Sequence, residues 1–315
     1  MNIFKIRTNP FMWLRRFSSP RRIQDYITIF LFLLPSFVIF LLFIIYPIFR
    51  AAYFSLFNWN GLGQATIFVG LNNFKQILND QVFMKGVENC LLIVILSLTI
   101  QLPLALVLSI MVGRDLPGRA LFRAIFFMPY VLSEVITAII WMSLLSPDPE
   151  RGFINALLVL IPGVQAQSFL GDINQVLVCV FVVLSWKYFG LYVLLYMAGL
   201  QNIPKEIEEA AMIDGANRLQ SIRNITIPLL GSTIRTTIQL SVLGSLTQFN
   251  LVWIMTRGGP VNASEVMATY MYRYSFIRFQ LGYGSAVALV MLAICLVFSV
   301  AYLRLVRQPD HLSGI

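Results

Sequence analysis

Histidine is almost absent from this chain; the single one, His311, lies in the C-terminal tail. That leaves no cluster of His, Asp and Cys of the kind a membrane-embedded hydrolase or metalloenzyme needs. The three cysteines, Cys90, Cys179 and Cys295, each sit inside an apolar run, a placement that suggests neither a disulfide framework nor a metal site. No Gly-x-x-x-x-Gly-Lys-Ser/Thr run occurs, so the chain cannot cradle nucleotide phosphates in the P-loop manner. Internal repeats and low-complexity tracts are missing too. Charge is the most telling scarcity: charged residues make up 12% of the chain, about half the usual share of a soluble domain.

Apolar residues fill the space, at 58% of the chain with a mean hydropathy of +0.78. A soluble fold must cover its exterior with polar groups, and this composition cannot do so; lipid is the solvent for much of the surface. Crossing the hydrocarbon takes about 20 apolar residues in a helix, because each backbone polar group must be satisfied internally. Six segments reach that length, near 26–49, 87–112, 121–145, 174–199, 228–255 and 283–305. Pro47, Pro103 and Pro129 fall within or at the ends of these runs, as membrane helices tolerate. The first run lacks a small-residue cleavage site and reads as a retained membrane helix rather than a signal peptide.

The net charge of +9 does not point to nucleic acid, since the basic residues cluster between the apolar runs. Lys5, Arg7, Arg15, Arg16, Arg21, Arg22, Arg114, Arg119, Arg123, Lys205, Arg218, Arg223, Arg235, Arg304 and Arg307 share one side, against Arg50, Lys75, Lys85, Arg151, Arg257, Arg273 and Arg278 on the other. This excess predicts that both termini are cytoplasmic. The expected organisation is a basic cytoplasmic segment over 1–25, a six-helix membrane domain over 26–305 and a cytoplasmic tail over 306–315. The outer loops near 50–86, 146–173 and 256–282 are too short for a sizeable domain. Their Gly/Asn signals, Gly70-Leu71-Asn72-Asn73 and Gly152-Phe153-Ile154-Asn155, predict turns leading into short helices.

The cytoplasmic stretch 200–227 is the most informative. Asn202 is a plausible N-cap, and Pro204 suits a first helical turn where its missing N–H costs nothing. Glu206, Glu208 and Glu209 would sit near the positive end of the helix dipole. Gly215 fits the left-handed position that stops a helix, and Asn217 with Gln220 forms a capping box for a second helix running to Thr226. Ile203, Ile207, Ala210 and Ala211 fall along one face at helical spacing. Two readings fit: a rigid bihelical knob whose small alanines admit a partner, or an amphipathic linker resting on the lipid.

Glu209-Ala210-Ala211-Met212-Ile213-Asp214-Gly215-Ala216, followed by Ile222, Ile225 and Pro228-Leu229-Leu230, resembles the EAA motif of binding-protein-dependent ABC permeases, in its sugar-permease form. Phe68-Val69-Gly70-Leu71-Asn72-Asn73-Phe74, Phe126-Phe127-Met128-Pro129, Ala198-Gly199-Leu200-Gln201-Asn202-Ile203-Pro204 and Thr256-Arg257-Gly258-Gly259-Pro260 look like further stations of the oligosaccharide and glycerol-phosphate group, in the right order over nearly the whole chain. Asn217 stands where the family often has Ser; both cap helices. The chain lacks the large external domain of the maltose-type subunit. The resemblance implies an all-α, six-helix permease of the type I importer fold in a bacterial inner membrane. It also implies a role in importing sugars, related polyols or sugar phosphates, with Glu209, Ala210, Ala211, Asp214, Gly215 and Ala216 coupling to an ATPase. The implied partners are a second homologous permease, two ATP-binding subunits carrying ATP and magnesium, and an extracytoplasmic solute-binding protein. Gly258, Gly259 and Pro260 would lie on the face where that protein docks. No cofactor is expected in this chain. An ion-gradient-driven secondary transporter is the competing class, although the inverted repeats and broken helices of such carriers are not evident in the sequence.

Charges inside spans are costly and mark functional candidates. Glu134 near the middle of the third span and Lys187 near the middle of the fourth fall at similar depth, either as a pair facing the interior or each in its own wet crevice. Sugars are held by aromatic faces and by amides that bond hydroxyls, which singles out Trp141, Trp186, Tyr188, Tyr192, Gln248, Asn250 and Trp253. Interfacial aromatic belts and helix-bridging amides account equally well for those residues.

Overall fold

The computed structural model describes residues 20–112 and 118–306. The expected basic segment 1–25 falls outside it up to residue 19, as do Arg114, Arg307 and His311 with nearly all of the expected tail. The chain divides into two units, Met1–Tyr53 and Phe54–Ile315. The N-terminal unit contributes most of helix α1 (Tyr26–Phe54), an apolar run long enough to span a membrane that includes one π-helical turn at Leu41–Ile45.

The second unit opens with a two-residue hairpin, β1 (Phe57–Asn58) against antiparallel β2 (Ile67–Phe68). Gly70 turns the chain with a φ of +58°, and α2 (Asn72–Asn79) follows. The Asn73 side chain, buried, donates to the carbonyls of Ser55 and Phe57 and fixes this loop. Asp80 then caps α3 (Gln81–Val112) by accepting from the amides of Val82 and Phe83. The short helix expected after Gly152 is α6 (Phe153–Leu158); Asn155 closes its loop with bonds to Ser146, Gln167 and the Gln167 amide.

The third apolar segment differs from its expectation. Instead of one helix over 121–145 it is two, α4 (Arg119–Val131) and α5 (Glu134–Leu144), bent 96° apart at Leu132 and Ser133. Pro129 removes one amide donor from the last turn of α4, Leu132 is extended, and the Ser133 hydroxyl accepts from the Ile136 amide to start α5 afresh. Glu134 is therefore the first residue of a helix rather than the middle of one.

Helix α7 (Val176–Gln201) is the axis of this unit, with 56% of its apolar window buried. It packs against α3, α4, α5 and the later span formed by α10 (Gly231–Leu246) and α11 (Asn250–Met255), which the expected fifth span divides at Thr247–Phe249. The main core joins Ile93, Val180, Leu184, Val242, Leu251 and Val287. The last span is α13 (Leu281–Leu305). Among the described residues, five helices are long and apolar enough to cross a membrane, or six if the bent pair counts as one span. Large apolar side chains stay uncovered along them, including Leu91, Ile95, Leu104, Val107, Leu296 and Val297, the surface that lipid would solvate.

Between α7 and α10 lie α8 (Lys205–Ile213) and α9 (Arg218–Ser221), and between the last two spans lies α12 (Met267–Tyr272). Close helix contact depends on glycine at two places. A Cβ at Gly190 would collide with the Phe126 carbonyl oxygen, so α7 and α4 meet backbone to backbone; at Gly199 it is the side chains of Thr233 and Leu230 that fill the space a Cβ would take. Gly190→Ala is expected to lower the unfolding midpoint in detergent by about 2–10 °C, the scale of overpacking a filled contact. Gly244→Ala, where a Cβ meets no atom within 4 Å, is the matched control and should leave the midpoint near the wild-type value. Scanning fluorimetry of the two variants checks this.

Candidate functional site

The break between α4 and α5 leaves carbonyls at the end of α4 without helical donors, in a region where water is scarce. Lys187 on α7 supplies them. Its side chain is buried, and its ammonium donates to the carbonyls of Tyr130 at 2.9 Å, Pro129 at 3.3 Å and Leu132. An ammonium has three protons, and here three carbonyls receive it. The Tyr130 ring lies 5.7 Å from the same nitrogen and adds a cation–π contact. The helix end is the negative end of the α4 dipole, which favours a cation.

Glu134 takes a different partner. It stands in the first turn of α5, where the dipole favours a carboxylate, and its Oε1 accepts from the Tyr188 hydroxyl. Glu134 and Lys187 are thus neighbours across the break, yet no ion pair joins them among the described residues.

Glu134 and Tyr188 open onto a cavity of about 310 Å³ between α3, α7 and the α10–α11 span. Of the residues singled out by sequence as sugar contacts, the cavity gathers Tyr188, Tyr192, Gln248 and Asn250. Its remaining polar wall, Ser97 and Gln101 on α3 with Ser241, Ser245 and Thr247 on the α10 side, was missed. The signal for these was present: hydroxyls and an amide recurring at helical spacing inside apolar runs. One polar atom of the wall, Nε2 of the buried Gln248, has no partner, while the buried Ser241 hydroxyl meets Tyr192. Gly244, Thr247 and Asn250 are exposed and form an open side.

The three tryptophans lie elsewhere. Trp141 and Trp186 meet edge to face at 5.7 Å, and Trp186 lines a separate apolar cleft against Phe126 and Pro129. Trp253 packs on Phe249 and Tyr272.

In the stretch 200–227 the glycine turn and the capping box are as read from the sequence, with three differences around them. Gly215 has a φ of +89°, and Asn217 and Gln220 form the reciprocal capping box at 2.9 and 2.7 Å. Asn202, however, ends α7 rather than starting α8; the α8 N-cap position is Pro204. Ile203 turns inward to Leu200 and Leu230, away from the face it was grouped with. Beyond Thr226 the helix runs on to Leu229, and Thr226 bonds Glu208 at 3.0 Å, tying the two helices together. The outward face carries Glu209, Ala210 and Asp214 with uncovered Ile207, Met212, Ile213 and Leu219; Ala211 and Ala216 are half-buried.

The loop between the last two spans is anchored by buried polar contacts. Asn89 donates to the carbonyls of Ala263 and Glu265, and the buried Glu265 carboxylate pairs with Arg273 at 2.7 Å. Burial pushes the Glu265 carboxyl up from its ordinary range, with Arg273 opposing it. Gly258, at a φ of +82°, lies directly under this pair, where a Cβ would strike the Glu265 carboxylate; the Gly259–Pro260 bond is cis, and Val261 beside it is 82% exposed.

Comparison with known proteins agrees with this architecture. Residues 101–310 match the family model described as binding-protein-dependent transport system inner membrane component, a transport component rather than a catalytic one. The chain is 34% identical, over 89% of its length and 96% of the relative's, to the probable ABC transporter permease protein YurN of Bacillus subtilis (strain 168). It is 30% identical, over 88% and 94%, to the multiple sugar-binding transport system permease protein MsmF of Streptococcus mutans. Its fold matches a chain of a bacterial ABC transporter involved in the import of the acidic polysaccharide alginate, with a TM-score of 0.80, 23% identity, and coverage of 92% and 98%.

Replacing Lys187 by Met should strand three carbonyls, one buried and two partly buried. The expected loss is about 2–3 kcal/mol, the scale of buried hydrogen bonds to a charged group, read as a lowered unfolding midpoint of the purified protein. A wild-type midpoint would mean that the break needs no cation.

Proposed function

Because the chain belongs to the family of inner membrane components of binding-protein-dependent transport systems, we propose that it forms half of the translocation path of an ATP-driven sugar importer. The cavity behind Tyr188, Gln248 and Asn250 is this chain's share of the path. Its open side, at Gly244, Thr247 and Asn250, is closed by a second permease of similar fold. Sugar as cargo is supported by a wall of amides and hydroxyls, each able to donate and accept, and by the multiple-sugar relative. An ion-gradient carrier would belong to another family.

The observation that carries the coupling role is the bihelical knob. Ile207, Met212, Ile213 and Leu219 stand uncovered on an element held rigid by a glycine turn, a capping box and the Thr226–Glu208 bond. Exposed apolar side chains on so stiff a frame suit docking into a groove of another protein. We assign that groove to an ATP-binding subunit, two of which would hold the ATP and magnesium. The basic side of the membrane, and with it both termini, is then cytoplasmic. The loop at Gly258, Gly259 and Pro260, with exposed Val261, is on the opposite side, where an extracytoplasmic binding protein would deliver its solute.

Ile213 is 86% exposed, so Ile213→Glu should cost the fold almost nothing. It is expected to strip the ATPase from the permease during affinity purification and to cut nucleotide-coupled uptake at least tenfold in proteoliposomes. Retention of the ATPase at the wild-type level, with uptake intact, would remove the knob from the coupling path.

A further inference from the structure

The wall of the cavity carries one charge, and it is negative. Among its lining residues Glu134 alone is ionisable in the ordinary range of pH; the rest of the polar wall is hydroxyl and amide. The nearest cation is not available to a ligand. All three protons of Lys187 point at the carbonyls of Pro129, Tyr130 and Leu132, and the residue does not line the cavity. The positive end of α5, the other feature that could receive an anion, is already occupied by the Ser133 cap and by Glu134 itself.

A ligand in this cavity meets a wall of hydroxyls and amides, Gln248 among them, and has to bond with it without placing an anion near Glu134. Hydroxyls do this. A uronate or a phosphate does not, because it brings a like charge into a poorly solvated site and finds no arginine or lysine to pair with.

Building on the reading of the cavity as a sugar path, we infer that Glu134 makes this chain's half of the path selective for uncharged saccharides and excludes sugar acids and sugar phosphates. Glu134 holds that position because the break in the third span aims it there, and Tyr188 holds its carboxylate.

The test uses the assembled importer in nanodiscs and compares matched pairs of probes by equilibrium binding: cellobiose against cellobiouronate, and digalactose against digalacturonate. The wild type should bind at least one neutral probe, and its acidic counterparts at least about tenfold more weakly, the penalty of one unpaired like charge. Glu134→Gln should narrow that gap to about threefold or less. Tyr188→Phe removes the hydrogen bond and keeps the charge, so it should retain the gap whatever it does to affinity itself. Equal binding of neutral and acidic probes by the wild type, or a gap unchanged in Glu134→Gln, overturns charge exclusion and leaves the sugar path standing. Failure of every saccharide to bind overturns the sugar path and this inference together. Should Glu134→Gln fail to assemble, the wild-type gap and its retention in Tyr188→Phe decide the matter.

Discussion

The centre of the molecule depends on one buried ammonium. A helix that stops inside the hydrocarbon exposes its last carbonyls to a medium with nothing to offer them, and several kcal/mol per group normally forbids such a stop. Lys187 removes the prohibition by giving each of its protons to one of those carbonyls. The cost of burying the charge is offset by the same contacts, by the α4 dipole and by the Tyr130 face. With the stop permitted, the chain can turn 96° and begin again at Ser133. The place of Glu134 beside the cavity follows from that freedom, because a straight third span would carry it past.

A second interruption complements the first. The span after the knob is divided at Thr247–Phe249, and Gln248 and Asn250 reach the cavity from that division. Two helices are thus broken beside one space, while α7 between them stays continuous and anchors the hydrophobic core. Irregular backbone at depth is tolerated where it faces protein or a cavity rather than lipid, and both breaks obey that condition. Rigidity is concentrated in the loops as well: Asn73, Asn89 and Asn155 each spend a buried amide on two carbonyls, so these loops are held by side chains that pin backbone.

Much of this was legible in the sequence. Apolar length located the spans, and glycine and asparagine chemistry located the knob, because a φ of +89° at Gly215 and a capping box at Asn217 are local events dictated by a few adjacent residues. The broken third span was not read, although Pro129 followed by Ser133-Glu134 carries the signature of a helix end and a helix start. The apolar run around it hid that signature, since hydropathy averages over the interruption. Pairing Glu134 with Lys187 by depth brought the right residues together with the wrong bond, because the competing acceptors were backbone carbonyls that no sequence pattern displays. The tryptophans fall outside this cavity for a related reason: an indole ring is as useful for packing helices as for stacking on a ligand, and the sequence does not say which.

The bonds that give the knob its shape, from Thr226 to Glu208 and between Asn217 and Gln220, all close within the knob itself. Its outward apolar residues therefore owe nothing to folding. Docked on an ATP-binding subunit as proposed, such a surface can drift in composition, residue by residue, to match that partner, while the stem at Leu200, Ile203 and Leu230 goes on joining it to two spans unchanged. Under that proposal, exchange of one such partner for another becomes a matter of repainting one face.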